Sequence, residues 1–224
     1  MRAIATLTVL LFSACATTLV SERPAPVPDL RVGESWTYRE LNDYNGQPLG
    51  SFRYEIMQTR PSPAGKLFRD GEPYAQPQGL QQGVYSATHY AYLPAFMPPY
   101  AAYSFPLNSG KSWTYQTAPS AVVGNVPLTV CAKVRGWEKV TVPAGEFDAL
   151  KIVRYIYVND VMWWRSPTRI TEVDWYAPQV DAVVKRVHDS EYYDYRKTRD
   201  MLVKGDRIRW ELLSHSPGQK LSSR

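Results

Sequence analysis

Cysteine and histidine are scarce in this chain. Cys15 and Cys131 are its two cysteines, and His89, His188 and His215 its three histidines, in 224 residues. They form no CxxC, HExxH or comparable pairing, so no metal centre is expected. There is no GxSxG nucleophile elbow either. Gly110-Lys111-Ser112 lacks the second glycine and precedes a strand-like segment. A Gly-rich phosphate cradle is also missing, and with it the simplest nucleotide site. The reading is of no catalytic set and no cofactor. Beyond the N-terminus no apolar run is long enough to cross a bilayer as a helix. Basic residues number 26 against 21 acidic, but no Lys/Arg cluster accompanies a nucleic-acid motif. The surplus fits a mixed soluble surface, and nucleic acid is not an expected partner.

The chain opens MRAIATLTVLLFSACATT. Arg2 precedes an apolar stretch from Ile4 to Ala14, too short to span and laid out like a secretory leader. Phe12-Ser13-Ala14-Cys15 resembles the lipobox of bacterial lipoproteins, with Phe12 where that family has Leu, Val or Ile. The resemblance implies a diacylglyceryl group on Cys15, cleavage before it and a further acyl chain, such as palmitate, on its amine. Each buried methylene would contribute about 0.8 kcal/mol, and several chains together hold where one is marginal. An ordinary leader with a chance cysteine is the plain alternative. Ala16 stands where an Asp would resemble the inner-membrane retention signal. The expected location is therefore the cell envelope, on the outer membrane facing the periplasm rather than on the inner membrane.

These features divide the chain into a leader (1–14), a lipidated start with a Pro-rich tether (15–29), one β domain (30–215) and a flexible tail (216–224). With Cys15 acylated no intramolecular disulfide can form, so the fold must stand on its core. Cys131 shares a strand face with Thr129, Lys133 and Arg135, opposite Leu128, Val130, Ala132 and Val134. It is a shielded bystander or a reactive thiol.

Period-two alternation dominates what remains, and 18 prolines argue against long helices. Strands are expected at 33–43 and 50–60 about an Asn45-Gly46 turn, and at 67–75 as a hairpin on Asp70-Gly71. Further strands are expected at 110–116, 128–136, 136–142, 147–158, 169–177, 182–188 and 207–215. Pro143–Glu146 is a turn, and Asn159-Asp160 a break. Between 80 and 107 a crowd of rings, Tyr85 to Phe105, is either a stacking platform or a loop closing the core. The alternation predicts an all-β fold built as a hairpin meander, with little helix.

GESWTY (33–38) and GKSWTY (110–115) are near copies. Each places Trp and Tyr at i and i+2 on one strand face, which suits framework better than chemistry. Three phrases, FPLNSGKSWTY (105–115), VRGWEKVTVPAGEFDALKIVR (134–154) and VDWYAPQVDAVVKRV (173–187), together resemble the TapB-like or DUF3108-like family of secreted or lipid-anchored bacterial β proteins. The resemblance covers about residues 30–214 and implies a curved antiparallel sheet or open β-barrel. Asp181 stands where the family has Gly, and Asp tolerates a left-handed backbone. No catalytic residue comes with the resemblance.

Other candidate chemistry is sparse. His188-Asp189-Ser190-Glu191 reads as a strand end entering a solvated turn. Glu146 and Asp148 could pair as glycosidase acids, or cap a turn. The run 195–209 is either an anion-contacting face or a mixed-charge hairpin. The function expected is a non-catalytic envelope lipoprotein that binds a hydrophobic ligand, a glycan or a partner protein on an aromatic-lined concave face. Tyr155, Tyr157, Trp163, Trp164 and Trp175 are its candidate ligand surface. A hydrolase with paired carboxylates and an envelope assembly protein are the alternatives. Membrane contact is expected through the anchor, and Cys15→Ala should move the protein from the membrane fraction to the soluble one. Continued membrane residence on fractionation would reject the anchor.

Overall fold

The computed structural model describes residues 23–60, 64–79, 103–116, 128–158, 162–196 and 201–218. The leader and lipobox, the ring-rich stretch 80–102 and the Asn159-Asp160 break lie outside the described residues. Ten strands form one antiparallel sheet: β1 Ser35–Asn42, β2 Pro48–Gln58, β3 Ala64–Arg69, β4 Glu72–Gly79, β5 Ser112–Gln116, β6 Leu128–Val142, β7 Gly145–Val158, β8 Thr168–Ala177, β9 Ala182–Asp194 and β10 Met201–Ser216. The order is β4-β3-β2-β1-β10-β9-β8-β7-β6-β5, with β4 and β5 as open edges. Among the described residues one 3-10 turn, Pro178–Val180, is the sole helical element. The all-β meander read from the alternation forms, as the curved open sheet that the resemblance implied.

Local turn chemistry accounts for most of it. Asp70 and Gly71 both have positive φ, 49° and 91°, as a two-residue hairpin turn requires. Asp181 sits at φ 48°, the left-handed position a Gly would also fill. Two expectations change. The segments 128–136 and 136–142 are one strand, β6, bent by an irregularity between Val134 and Gly136. β9 continues past His188 to Asp194, and β10 begins at Met201 rather than 207. Neither extension shows clean alternation of apolar and polar residues. Their pairing with each other, and of β9 with β8, holds them extended where local pattern does not.

Eight of the nine strand pairings join sequence neighbours; the ninth sets β1 beside β10, with Trp36 opposite His215 and Leu41 opposite Arg209. The sheet then curls so that its inner face buries itself. The Ala144 N–H at the β6–β7 tip donates to the Leu212 carbonyl of β10 at 3.0 Å, although β7, β8 and β9 intervene in the sheet. Trp36 Nε1 donates to the Val180 carbonyl at 2.7 Å, and the Tyr38 hydroxyl to that of Val183 at 2.8 Å. Two segments fill the trough: Ala25 and Leu107 exchange backbone bonds of 2.7 and 2.9 Å, and both side chains are buried. The docked chain thus begins by Ala25, earlier than a tether through Asp29. At the other end β10 includes Ser216, and Gly218 lies against Arg31, Val32 and Glu34.

We call the end with the β6–β7 and β8–β9 turns the proximal rim. The end where β1 turns into β2 and β7 into β8 is the distal rim. The two WTY copies are both framework but not equivalent. Trp36 is fully buried at the centre of the sheet, whereas Trp113 is half-buried on edge strand β5, with no partner for its Nε1 among the described residues. Trp36→Phe should cost about 2 kcal/mol, through lost volume and an orphaned Val180 carbonyl. Trp113→Phe should cost less than half of that, and urea denaturation of the two variants checks the ranking.

Candidate functional site

On β7, β8 and β9 the inward alternation carries charge where apolar residues are the rule. Arg154 lies between Ile152 and Ile156, Glu172 and Asp174 between Ile170 and Tyr176, and Arg186 and His188 follow Val184. Register places Arg154 opposite Glu172, Glu172 opposite His188, and Asp174 opposite Arg186. All five are buried. Arg154 Nη2 reaches Glu172 Oε2 at 2.7 Å and Asp174 Oδ2 at 2.5 Å. Arg186 grips Asp174 through Nε at 2.6 Å and Nη2 at 2.8 Å. His188 Nδ1 lies 3.3 Å from Glu172 Oε1. The buried hydroxyl of Tyr103 donates to Asp174 and accepts from Arg186 Nη2 at 3.1 Å, while the Arg154 guanidinium lies 4.9 Å from its ring.

Electrostatics follow from that geometry. Burial pushes the Glu172 carboxyl up, but Arg186, Arg154 and His188 together hold it well below its ordinary value of 4.5. Burial likewise works against the Arg186 cation, and Asp174 and Glu172 raise its affinity for the proton well above the usual range. Burial raises the Tyr103 phenol; Arg154 opposes the rise and Asp174 adds to it. Two carboxylates and two guanidiniums therefore balance, each hydrogen-bonded. A general acid needs a raised carboxyl, and Glu172 has the opposite. The arrangement clamps the 103–107 segment into the trough through Tyr103.

Read by local pattern, none of these five stands out as an interior group. The usable signal is a charged residue at the apolar parity on three consecutive strands, with opposite signs at facing positions. His188, expected at a solvated strand end, is instead buried inside β9 because that strand continues. Glu146 and Asp148 lie in the first residues of β7 and share one lysine, each 3.3 Å from Lys139 Nζ.

The expected ligand surface does not assemble on a concave face. Tyr155 and Tyr157 alternate with Arg154 and Ile156, so the curl that encloses those two leaves the tyrosines outside, 44% and 47% exposed. Register sets Cys131 and Thr129 on one side of them and Thr171 and Arg169 on the other. Trp175 is also outward, half-buried between Lys151 and Lys185, with Nε1 donating to Glu138 at 2.9 Å. Burial raises the Glu138 carboxyl, but the Trp175 N–H and Lys151 outweigh it and hold the group below its ordinary value. Trp163 and Trp164 lie apart, on the β7–β8 turn at the distal rim. Trp164 packs under Arg196, 4.1 Å from its ring, and edge-on to Tyr192.

Two solved structures resemble this chain distantly. A candidate exported protein with a YmcC-like fold from Bacteroides fragilis is 18% identical over 87% of this chain and 100% of its own, with a TM-score of 0.45. A candidate lipoprotein from Parabacteroides distasonis is 12% identical over the same shares, with a TM-score of 0.44. No protein-family model and no curated protein matches the chain, so membership of the TapB-like or DUF3108-like family is not established.

Because the Glu172 carboxyl is depressed in the fold, its contribution to stability is present above about pH 4.5 and is lost as pH falls through the lower folded value. Glu172→Gln should flatten the stability–pH curve in that acid window. At neutral pH it should cost about 3 kcal/mol, since Arg154 is left short of a partner. Denaturant titrations from pH 7 to pH 3 read both effects, and an unchanged acid limb would contradict the assignment.

Proposed function

We propose that the protein is a lipid-anchored envelope module that binds glycan, without catalysis, on the outward face of β6, β7 and β8. The anchor reading rests on the leader and the Phe12–Cys15 lipobox. The location favoured is the periplasmic side of the outer membrane, from Ala16 after the cysteine. The observation that carries the binding reading is the pair Tyr155 and Tyr157, about half exposed at i and i+2 on one side of an open sheet.

Phenol rings standing side by side on the outward face offer apolar area with a wet, hydrogen-bonding tip. Thr129, Thr171 and Arg169 flank them by register and supply further donors and acceptors. A sugar ring presents the matching pattern, an apolar face edged by hydroxyls. A wholly hydrophobic ligand fits less well, because the inner face is taken up by its own side chains and by Tyr103 and Leu107. Hydrolysis by paired carboxylates is not favoured. Glu172 and Asp174 are fully buried and ion-paired, and Glu146 and Asp148 are tied to Lys139.

Both tyrosines can be cut back without opening the core. Tyr155→Ala with Tyr157→Ala should lower affinity for soluble envelope glycan fragments by tenfold or more and leave the circular dichroism spectrum unchanged. Calorimetric titration with peptidoglycan and lipopolysaccharide-core oligosaccharides provides the measurement. No heat from any of them with the parent protein would end the glycan reading.

A further inference from the structure

The turn between β7 and β8 lifts Trp163 almost clear of the protein. Its indole is 87% exposed, at the tip of a turn closed by a bridge between Met162 and Arg165. Such exposure of a large apolar side chain has a cost in water and no return from the core. Trp163 is not isolated. Met162, Tyr195, Met201 and Leu202 are also exposed at this end of the sheet, as is Tyr44 on the β1–β2 turn, its hydroxyl donating to the Gly205 carbonyl at 3.1 Å. Backbone bonds knit the patch together. The Tyr195 N–H donates to the Trp164 carbonyl at 2.8 Å, and Met201 and Leu202 pair with Asp194 and Tyr193. Every member stands at the distal rim.

Charge on this rim is unevenly displayed. Arg196 is 54% exposed while its partner Asp194 is 7% exposed, and Arg207 is 44% exposed against 17% for Asp43. Lys204 likewise stands further out than Glu191. In each of these three pairs the cation stands further out than its partner, and Asp206 is the exposed acid beside them on β10. Behind the projecting tips, Arg196 and Arg165 lie against the Trp164 ring at 4.1 and 5.4 Å. The layering is therefore apolar tips first and guanidiniums one side chain behind. A bilayer surface has the complementary order of acyl boundary and phosphate, and indoles and guanidiniums settle at those two depths.

We infer that the distal rim docks on an anionic phospholipid surface, with Trp163 entering the headgroup–acyl boundary. This contact is separate from the acyl chains expected on Cys15 and from the outward tyrosines. It does not depend on either.

The test reads Trp163 alone. The full chain is incorporated into vesicles of phosphatidylglycerol and phosphatidylethanolamine with brominated acyl chains, and the emission of a Trp163→Phe variant is subtracted from that of the parent. The readout is the same whether acyl groups or the apolar leader hold the chain to the vesicle, so a failed anchor and a failed rim contact are distinguishable. The Trp163 component should blue-shift and lose about half its intensity or more. That loss should shrink in phosphatidylcholine vesicles and with added salt. A tryptophan placed by Met57→Trp in the Trp163→Phe background, at the proximal end of β2, serves as the exposed control. Quenching of Trp163 no greater than that control, or equal quenching in neutral vesicles, would overturn the inference. So would binding of the rim to an envelope protein that shields Trp163 from the brominated lipid.

Discussion

The structure depends on the pairing of its first strand with a strand from the far end of the chain. β1 lies between β2 and β10, and without that seam the chain is two meanders, each with one more open edge. Trp36 secures the seam. Its ring is fully buried, it stacks on His215 of β10 at 5.6 Å, and its N–H reaches the β8–β9 turn. A single sheet has no second layer to cover its apolar side. Curling, with the chain around Ala25 and Leu107 laid in the trough, is how this one buries it.

The ion network follows from the same constraint. A curled sheet encloses whatever stands at inward parity, charged or not. Charges with no access to water survive there only when paired and hydrogen-bonded. Arg154, Glu172, Asp174 and Arg186 satisfy that condition across three adjacent strands, and Tyr103 closes the set from the segment lying in the trough. Such a network is a costly way to add stability and an effective way to fix register, because a one-residue slip of β8 would bury unmatched charge. Here it also fixes where the 103–107 segment sits.

With the inner face filled, the outer face and the rims are what remain for contact. The sheet sorts its outward aromatics into two groups of different character. Tyr155 and Tyr157 stand on the outward face beside Thr129 and Thr171, and Trp163 projects from a rim where Arg196 and Arg165 lie behind it. An anchored protein with these two surfaces could hold envelope glycan while lying against lipid, which joins the two proposals without making either depend on the other.

Much of this was legible in the sequence. Alternation gave the strands, Asn45-Gly46 and Asp70-Gly71 gave their hairpin turns, and the WTY copies marked framework, because side-chain period and positive φ are properties of a few adjacent residues. What the sequence did not hold was the sign of the curl. Tyr155 and Arg154 are neighbours, and nothing local says which of them faces in; that is decided by β1 meeting β10 and by the turn at Ala144 folding onto Leu212. Burial of His188, the pairing of Arg186 with Asp174 and the outward turn of the tyrosines are consequences of contacts between distant segments. Only the tertiary structure could decide them.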